Sequence, residues 1–402
     1  MKSDHINRRM STESHSDVAS IMRHNIDDYI SAYGPLPLKH QKIVRHVTAC
    51  RTEAMGGHHY VCDSCGDSRV SYNSCRDRHC PQCQGLARAH WVARRSEELL
   101  PVGYFHVVFT MPHELNAFAI RNKQQIYDIL FRSVSETLVE LGRNPRWLGG
   151  QIGAIAVLHT WGQNLLEHPH VHCIVPGGGI RNDQKKWVSF GDKYLFPIDV
   201  MSALFRGKFL CYFKNAVQGG DINFCGLLKE YENQEVFKEL INALYAKKWV
   251  VYAKEPFADA QCVVKYLGRY THRIAISNQR IIQEKDQQVS FRWKDYADNN
   301  KCKVMTITGV EFLRRFFLHV LPDKYTRIRY VGFLSNSTKN KRLEQALMLL
   351  KVKSEKKRMK ALKKVAELFE HLFGIDITKC HQCATGHYRL PALPAQVASG
   401  YT

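Results

Sequence analysis

Three features of the 402-residue sequence predict an α+β fold. In the middle of the chain, short β-branched and aromatic runs alternate with amphipathic helical patterns. A cysteine-rich segment precedes this region, and a basic, helix-patterned tail follows it. The expected architecture is a central antiparallel sheet with packed helices, an N-terminal four-cysteine zinc-binding module and a basic helical C-terminal tail. The boundaries read as a disordered terminus over 1–18, a helix and zinc module over 19–103, a catalytic unit over 104–335 and the tail over 336–402.

The elements follow in order. Ile21, Ile26, Tyr29 and Ile30 recur at helical spacing until Gly34 and Pro35 break the pattern. Residues 58–83 hold the cysteines, and Leu86–Leu100 reads as a helix stopped by Pro101. Tyr104–Met111 is a strand ending at Pro112. Ile126, Ile129, Leu130, Val134, Leu138 and Leu141 mark one helical face that ends at Gly142. Ile152–Trp161 and His170–Val175 are two strands joined by a short turn. Helices are expected at Met201–Val217, Gln234–Ala246, Ala260–Tyr270 and Glu311–His319. Ile274–Ile276, Val289–Arg292, Val304–Thr308 and Arg327–Phe333 have strand character. Between Lys339 and Lys364 there are eleven Lys or Arg and two Glu. That run is either a solvated helical face or, on its length and single sign, a phosphate-facing arm.

Lys and Arg total 58 against 37 Asp and Glu, a net charge of +21. Such an excess favours a polyanionic partner, because each cation that meets a phosphate releases condensed counterions. No run of about 18 apolar residues suggests a membrane span, and the polar start lacks the apolar core of a secretory signal. Thirteen cysteines without such a signal point to reduced thiols or metal ligands in a reducing cytoplasm rather than to disulfides.

Three constellations carry chemistry. Cys62-x2-Cys65 and Cys80-x2-Cys83 each bring two thiolates onto one tight turn, and two such turns complete a structural zinc tetrahedron. Cys75 and His79 lie between the pairs and can each replace a ligand; chance pairing of core cysteines is the alternative. Arg76 and Arg78, interleaved with the cysteines, are candidate DNA contacts. In His168-Pro-His-Val-His-Cys173, strand alternation puts His170 and His172 on one face with Val171 in the core. Two imidazoles there can converge on a divalent cation. Gln163 is the expected third ligand, His168 its competitor, and Gly177–Gly179 are expected to let DNA approach. Last, Tyr266-Leu-Gly-Arg-Tyr270 places two phenols on one helical face, with Arg269 and Arg273 placed to hold phosphates. The competing reading is an aromatic stripe in a core.

These segments together resemble the transposases of the insertion sequence 91 family, two-tyrosine members of the HUH endonuclease superfamily. The resemblance runs from about residue 20 to about 335. It rests on SCRDRHCPQCQ (74–84), FHVVFTMPHEL (105–115), HTWGQNLLEHPHVHCIVPGGG (159–179), YLGRYTHRIAI (266–276) and RRFFLHVLPDKYTRIRYVGFL (314–334). It implies a zinc-binding domain, a nuclease domain on an antiparallel sheet, a histidine-bound Mg²⁺ or Mn²⁺ and rolling-circle transposition through single-stranded DNA at element ends. On that expectation Tyr266 or Tyr270 attacks a phosphate, forming a 5′-phosphotyrosine and a free 3′-OH. The ester conserves the bond energy, consistent with the absence of a G-x4-G-K-[ST] nucleotide loop. Cys380-x2-Cys383, beyond the resemblance, is either a second metal site or a pair of free thiols. Two rival functions remain at this point: a replication initiator or relaxase with the same chemistry, and a non-catalytic zinc-dependent DNA-binding protein.

Overall fold

A computed structural model describes residues 16–190, 195–257, 268, 275–296, 298–352, 366, 367, 370 and 374–390. Asp17 caps α1 (Val18–Tyr33): its carboxylate accepts from the Ser20 N–H, and the Ser20 hydroxyl closes the reciprocal bond. The helix stops at Gly34, ahead of Pro35. Then come α2 (Leu38–Ala49), the hairpin β1 (Gly57–Cys62) and β2 (Ser68–Tyr72), and α3 (Gln84–Ser96).

The middle runs β3 (Tyr104–Thr110), α4 (Asn116–Arg121), α5 (Lys123–Arg143), β4 (Gly150–Gln151), β5 (Gly153–Trp161), β6 (Glu167–Pro176), β7 (Gly178–Arg181), β8 (Trp187–Ser189), α6 (Ile198–Gln218), α7 (Gln234–Ala246) and β9 (Val251–Phe257). After these come β10 (Ile281–Lys285), β11 (Gln288–Asp295), β12 (Lys301–Thr308), α8 (Gly309–Leu318), β13 (Ile328–Gly332), α9 (Lys339–Leu349) and β14 (Tyr388–Arg389).

Five strands form the central sheet in the order β13-β5-β6-β3-β9, every neighbour antiparallel. Alternation sorts its two faces. Phe105, Val107 and Phe109 on β3, Ala154, Ala156 and Leu158 on β5, and Val171, Cys173 and Val175 on β6 are buried in one core with α5 and α6. Each large apolar side chain buried in this way contributes about 1.5–3 kcal/mol. The opposite face carries His106, His159, His170 and His172. Part of that face is covered by α3, whose Trp91 packs against Tyr104 and Ile174 and whose Arg95 guanidinium lies 5.3 Å from the Tyr330 ring centre.

A second core joins the two ends of the fold. Val18, Ile21, Ile43 and Val47 of α1 and α2 pack with Val289, Phe291, Phe312 and Phe316 from the three-stranded sheet β10-β11-β12 and α8. Among the described residues, no helix is long and apolar enough to cross a membrane.

Two sequence expectations are corrected. Ala275 and Ile276 do not form a strand: Ala275 takes φ +55°, a left-handed backbone incompatible with a ladder. Gly177–Gly179 do not open a path for DNA. Gly178 and Gly179 are buried between β4 and β8, where an added Cβ would lie 2.3 Å from the Val188 carbonyl oxygen and 2.5 Å from that of Gln151 respectively. These glycines serve sheet packing. Part of the basic run is α9. Its Leu343 and Ala346 are buried with Leu100 and Phe333, and Lys339 pairs with Glu98 at 2.7 Å. The rest of the run, 353–364, lies outside the described residues.

Candidate active site

The β5–β6 hairpin builds the site. His159 and His170 are directly opposed in register, and His172 follows two residues on, opposite Val157. Ligand nitrogens of His159, His170 and His172 lie within 4.8 Å of one another. His159 is 2% exposed and His172 8%, so both rings are largely removed from water. Two hydrogen bonds orient the cluster. The Nδ1 of His172 meets Nε2 of His106 at 2.8 Å, and Nδ1 of His170 donates to the His168 carbonyl at 2.6 Å. With Nδ1 engaged, Nε2 is the nitrogen that each ring presents to a cation, the arrangement by which outer partners fix a metal-ligating imidazole.

Burial keeps His106, His170 and His172 neutral. It pushes His170 down to about 4, with the neighbouring His168 adding to the effect. It also pushes His106 down to about 4, assisted by Lys254, and His172 well below the ordinary imidazole range. A neutral imidazole presents the lone pair that a metal needs.

The expected third ligand, Gln163, has other partners: its side-chain amide donates to the Tyr296 hydroxyl at 3.1 Å, and its backbone carbonyl accepts from Arg280. It lies in the connection after the β5 bulge, beyond the strand alternation that aims His159. His168 shares parity with His170 but is exposed, and it contributes its carbonyl to His170. The hairpin itself is braced from the core side: buried Glu167 accepts from the Tyr127 hydroxyl at 2.8 Å and lies 3.5 Å from His319.

Tyr266, Tyr270, Arg269 and Arg273 lie outside the described residues. Gly268, between the two tyrosines in sequence, is buried against α3. An added Cβ there would sit 2.3 Å from Cγ2 of Val92 and 3.6 Å from Cγ of Arg88. This brings the centre of the motif onto the helix that packs on the histidine face. Gly268→Ala is therefore expected to cost about 1–3 kcal/mol through overpacking, because the stiff Val92 side chain cannot swing away. Urea denaturation measures the loss, and adding Val92→Ala should restore most of it.

The two candidate arginines of the cysteine segment differ. Arg76 is exposed. Arg78 is half-buried and donates to the Tyr325 carbonyl at 2.8 Å, so part of its guanidinium serves the fold.

The cysteines are corrected too. Cys62, Cys65, Cys80 and Cys83 do not share one site. Cys80 and Cys83 group with Cys50 and Cys75, whereas Cys62 and Cys65 group with Cys380 and Cys383. In the first group, Cys83 Sγ is 3.4 Å from Cys50 and 3.5 Å from Cys75. A zinc tetrathiolate with bonds of about 2.3 Å has sulfur–sulfur edges of about 3.8 Å, so the set fits a zinc ion closely. His79 is not part of it: Nδ1 bonds Asp77 at 2.9 Å and Nε2 accepts from the Leu321 N–H at 3.4 Å.

Comparison with known proteins decides the family. A family model described as "Transposase zinc-binding domain" matches residues 21–111, and one described as "Putative transposase" matches residues 153–342. A protein of Sinorhizobium fredii (strain NBRC 101917 / NGR234), named "Putative transposase y4qJ", is 44% identical over 371 residues, covering 92% of this chain and 93% of that one. The chain belongs to the insertion sequence 91 family of transposases. The transposase is also 27% identical over 318 residues to the transposase for insertion sequence element IS801 of Pseudomonas savastanoi pv. phaseolicola, covering 77% of this chain and 73% of that one. A solved structure of the conjugative relaxase TrwC in complex with mutant OriT DNA aligns at 11% identity and a TM-score of 0.24. It covers 42% of the transposase and 72% of the relaxase chain. That score is too low to support a shared fold.

Two residues of these clusters, His159 and Cys50, are not among the ligands expected from sequence. His159 was legible: Ala154, Ala156 and Leu158 alternate inward, so His159 must face out beside His170. Cys50 carried no local signal, because it stands alone at the end of α2.

Proposed function

We propose that the transposase nicks and rejoins single-stranded element ends through a 5′-phosphotyrosine, with His159, His170 and His172 holding the divalent cation. The observation that carries this reading is the set of three imidazoles clustered on the sheet face opposite the core, two of them with Nδ1 already engaged.

When bound, the cation supplies Lewis acidity toward the non-bridging oxygens of the scissile phosphate and a template for in-line attack. The protein's own groups do the rest. A phenol of Tyr266 or Tyr270 loses its proton and forms the P–O bond to the 5′ side. The P–O3′ bond breaks, and the 3′ oxygen takes up a proton. The packing of Gly268 against α3 supports a position for this segment at the histidine face. An open cleft of about 390 Å³ on that face is lined by His90, Trp91, Arg94, Tyr330 and Lys339, the mixture of rings and cations suited to single-stranded DNA.

Three nitrogen donors suit Mn²⁺ better than Mg²⁺, which prefers oxygen ligands. The test is nicking of a labelled single strand carrying the element end. Mn²⁺ is expected to support cleavage at lower concentration than Mg²⁺, chelation to abolish it, and a duplex of the same sequence to be cut poorly. Equal cleavage after exhaustive chelation contradicts the reading.

A further inference from the structure

The second cysteine group draws two of its four members from beyond both family matches. Cys380 and Cys383 follow residue 342, the end of the match in the transposase region, and they meet Cys62 and Cys65 in the zinc-binding part. Sγ of Cys62 is 3.7 Å from that of Cys383, and Sγ of Cys65 is 3.7 Å from that of Cys380. Both distances sit at the ~3.8 Å edge of a zinc tetrathiolate and far beyond the ~2.05 Å of a disulfide bond.

The two turns are built alike. The N–H of Gly66 bonds the Cys62 carbonyl at 3.1 Å, and the N–H of Ala384 bonds the Cys380 carbonyl at 3.1 Å. Each turn also aims a backbone N–H at a sulfur: Ser64 at Cys62 (3.4 Å) and Gly386 at Cys383 (3.3 Å). Such N–H···S bonds fix where each sulfur points. The approach is tight enough that a Cβ on Gly386 would lie 2.5 Å from Sγ of Cys62.

The surroundings lock the turns together. Strand β14 pairs with β1, setting Tyr388 opposite Cys62, and the Tyr388 hydroxyl donates to Asp67 at 2.6 Å. Asp63 accepts from the His387 N–H at 2.8 Å and pairs with Arg389 at 2.7 Å, while Arg69 lies 4.5 Å from the Tyr388 ring centre.

We infer that Cys62, Cys65, Cys380 and Cys383 bind a second structural zinc ion that clasps the C-terminal cysteine turn to the N-terminal hairpin. With four thiolates the ion has no open position and no part in the chemistry. Its effect is topological: it joins Cys65 to Cys380, 315 positions apart in sequence, and a metal clip of that span restricts the unfolded chain strongly. This inference does not depend on the histidine or tyrosine assignments.

Cobalt substitution of the full chain tests it, because the sulfur-to-cobalt charge-transfer band reports thiolate-bound metal and ignores a metal on imidazoles alone. The wild type is expected to take up two thiolate-bound equivalents. Cys383→Ala should halve the band, and Cys383→His should keep two equivalents with a weaker band. The histidine variant decides the matter if the alanine variant fails to fold. A single equivalent in the wild type, or a band unchanged in both variants, overturns the inference.

Discussion

His159→Ala is expected to reduce strand cleavage about 10³-fold in Mn²⁺, about 4 kcal/mol at 1.36 kcal/mol per decade, while Gln163→Ala changes it little. His159 is opposed in register to His170 and shares one cluster with His170 and His172, whereas the Gln163 amide is turned to Tyr296. Oligonucleotide affinity should hold within a few-fold in both variants, since it arises mainly from the +21 charge. Single-turnover cleavage rates and filter binding of the two variants check this. A reversed order, with Gln163→Ala inactive and His159→Ala active, would restore glutamine as the third ligand.

The double substitution Tyr266→Phe, Tyr270→Phe is expected to abolish cleavage to background, a loss of at least about 10³-fold. Phenylalanine retains the ring and its packing and removes only the hydroxyl, so an aromatic stripe in a core would tolerate it. Each single variant should retain binding and differ in whether nicking or strand joining is lost. Thermal unfolding of the double variant should stay within a few degrees of the wild type. A large drop in that temperature with cleavage intact would favour the packing role.

Much of this arrangement can be read from local patterns. Strand alternation in His170-Val171-His172 predicts one buried valine between two outward imidazoles, and the sheet does place Val171 in the core. The same rule applied to Ala154–His159 yields the third imidazole. The partners of the paired cysteines could not be read this way. A Cys-x2-Cys spacing dictates a turn, but which turns meet depends on tertiary packing: Cys50 comes from the end of α2, and Cys380 from beyond α9. Strand β9 escaped for a related reason. Val251–Phe257 carries Lys254 and Pro256, poor strand residues in isolation, which an edge position beside β3 accepts. Arg78 as a DNA contact and Gly177–Gly179 as an opening for DNA are expectations that arise because cations and glycines look available in sequence. The partners that the fold gives them, the Tyr325 carbonyl and the strands β4 and β8, are distant in sequence.

The most direct test is to map the covalent adduct between the wild-type transposase and a labelled single strand carrying the element end, with Mn²⁺ and after chelation. The account predicts an adduct only with the metal present, recovered on a peptide containing Tyr266 or Tyr270. An adduct of undiminished yield without metal, or one recovered on a residue elsewhere in the chain, would contradict it.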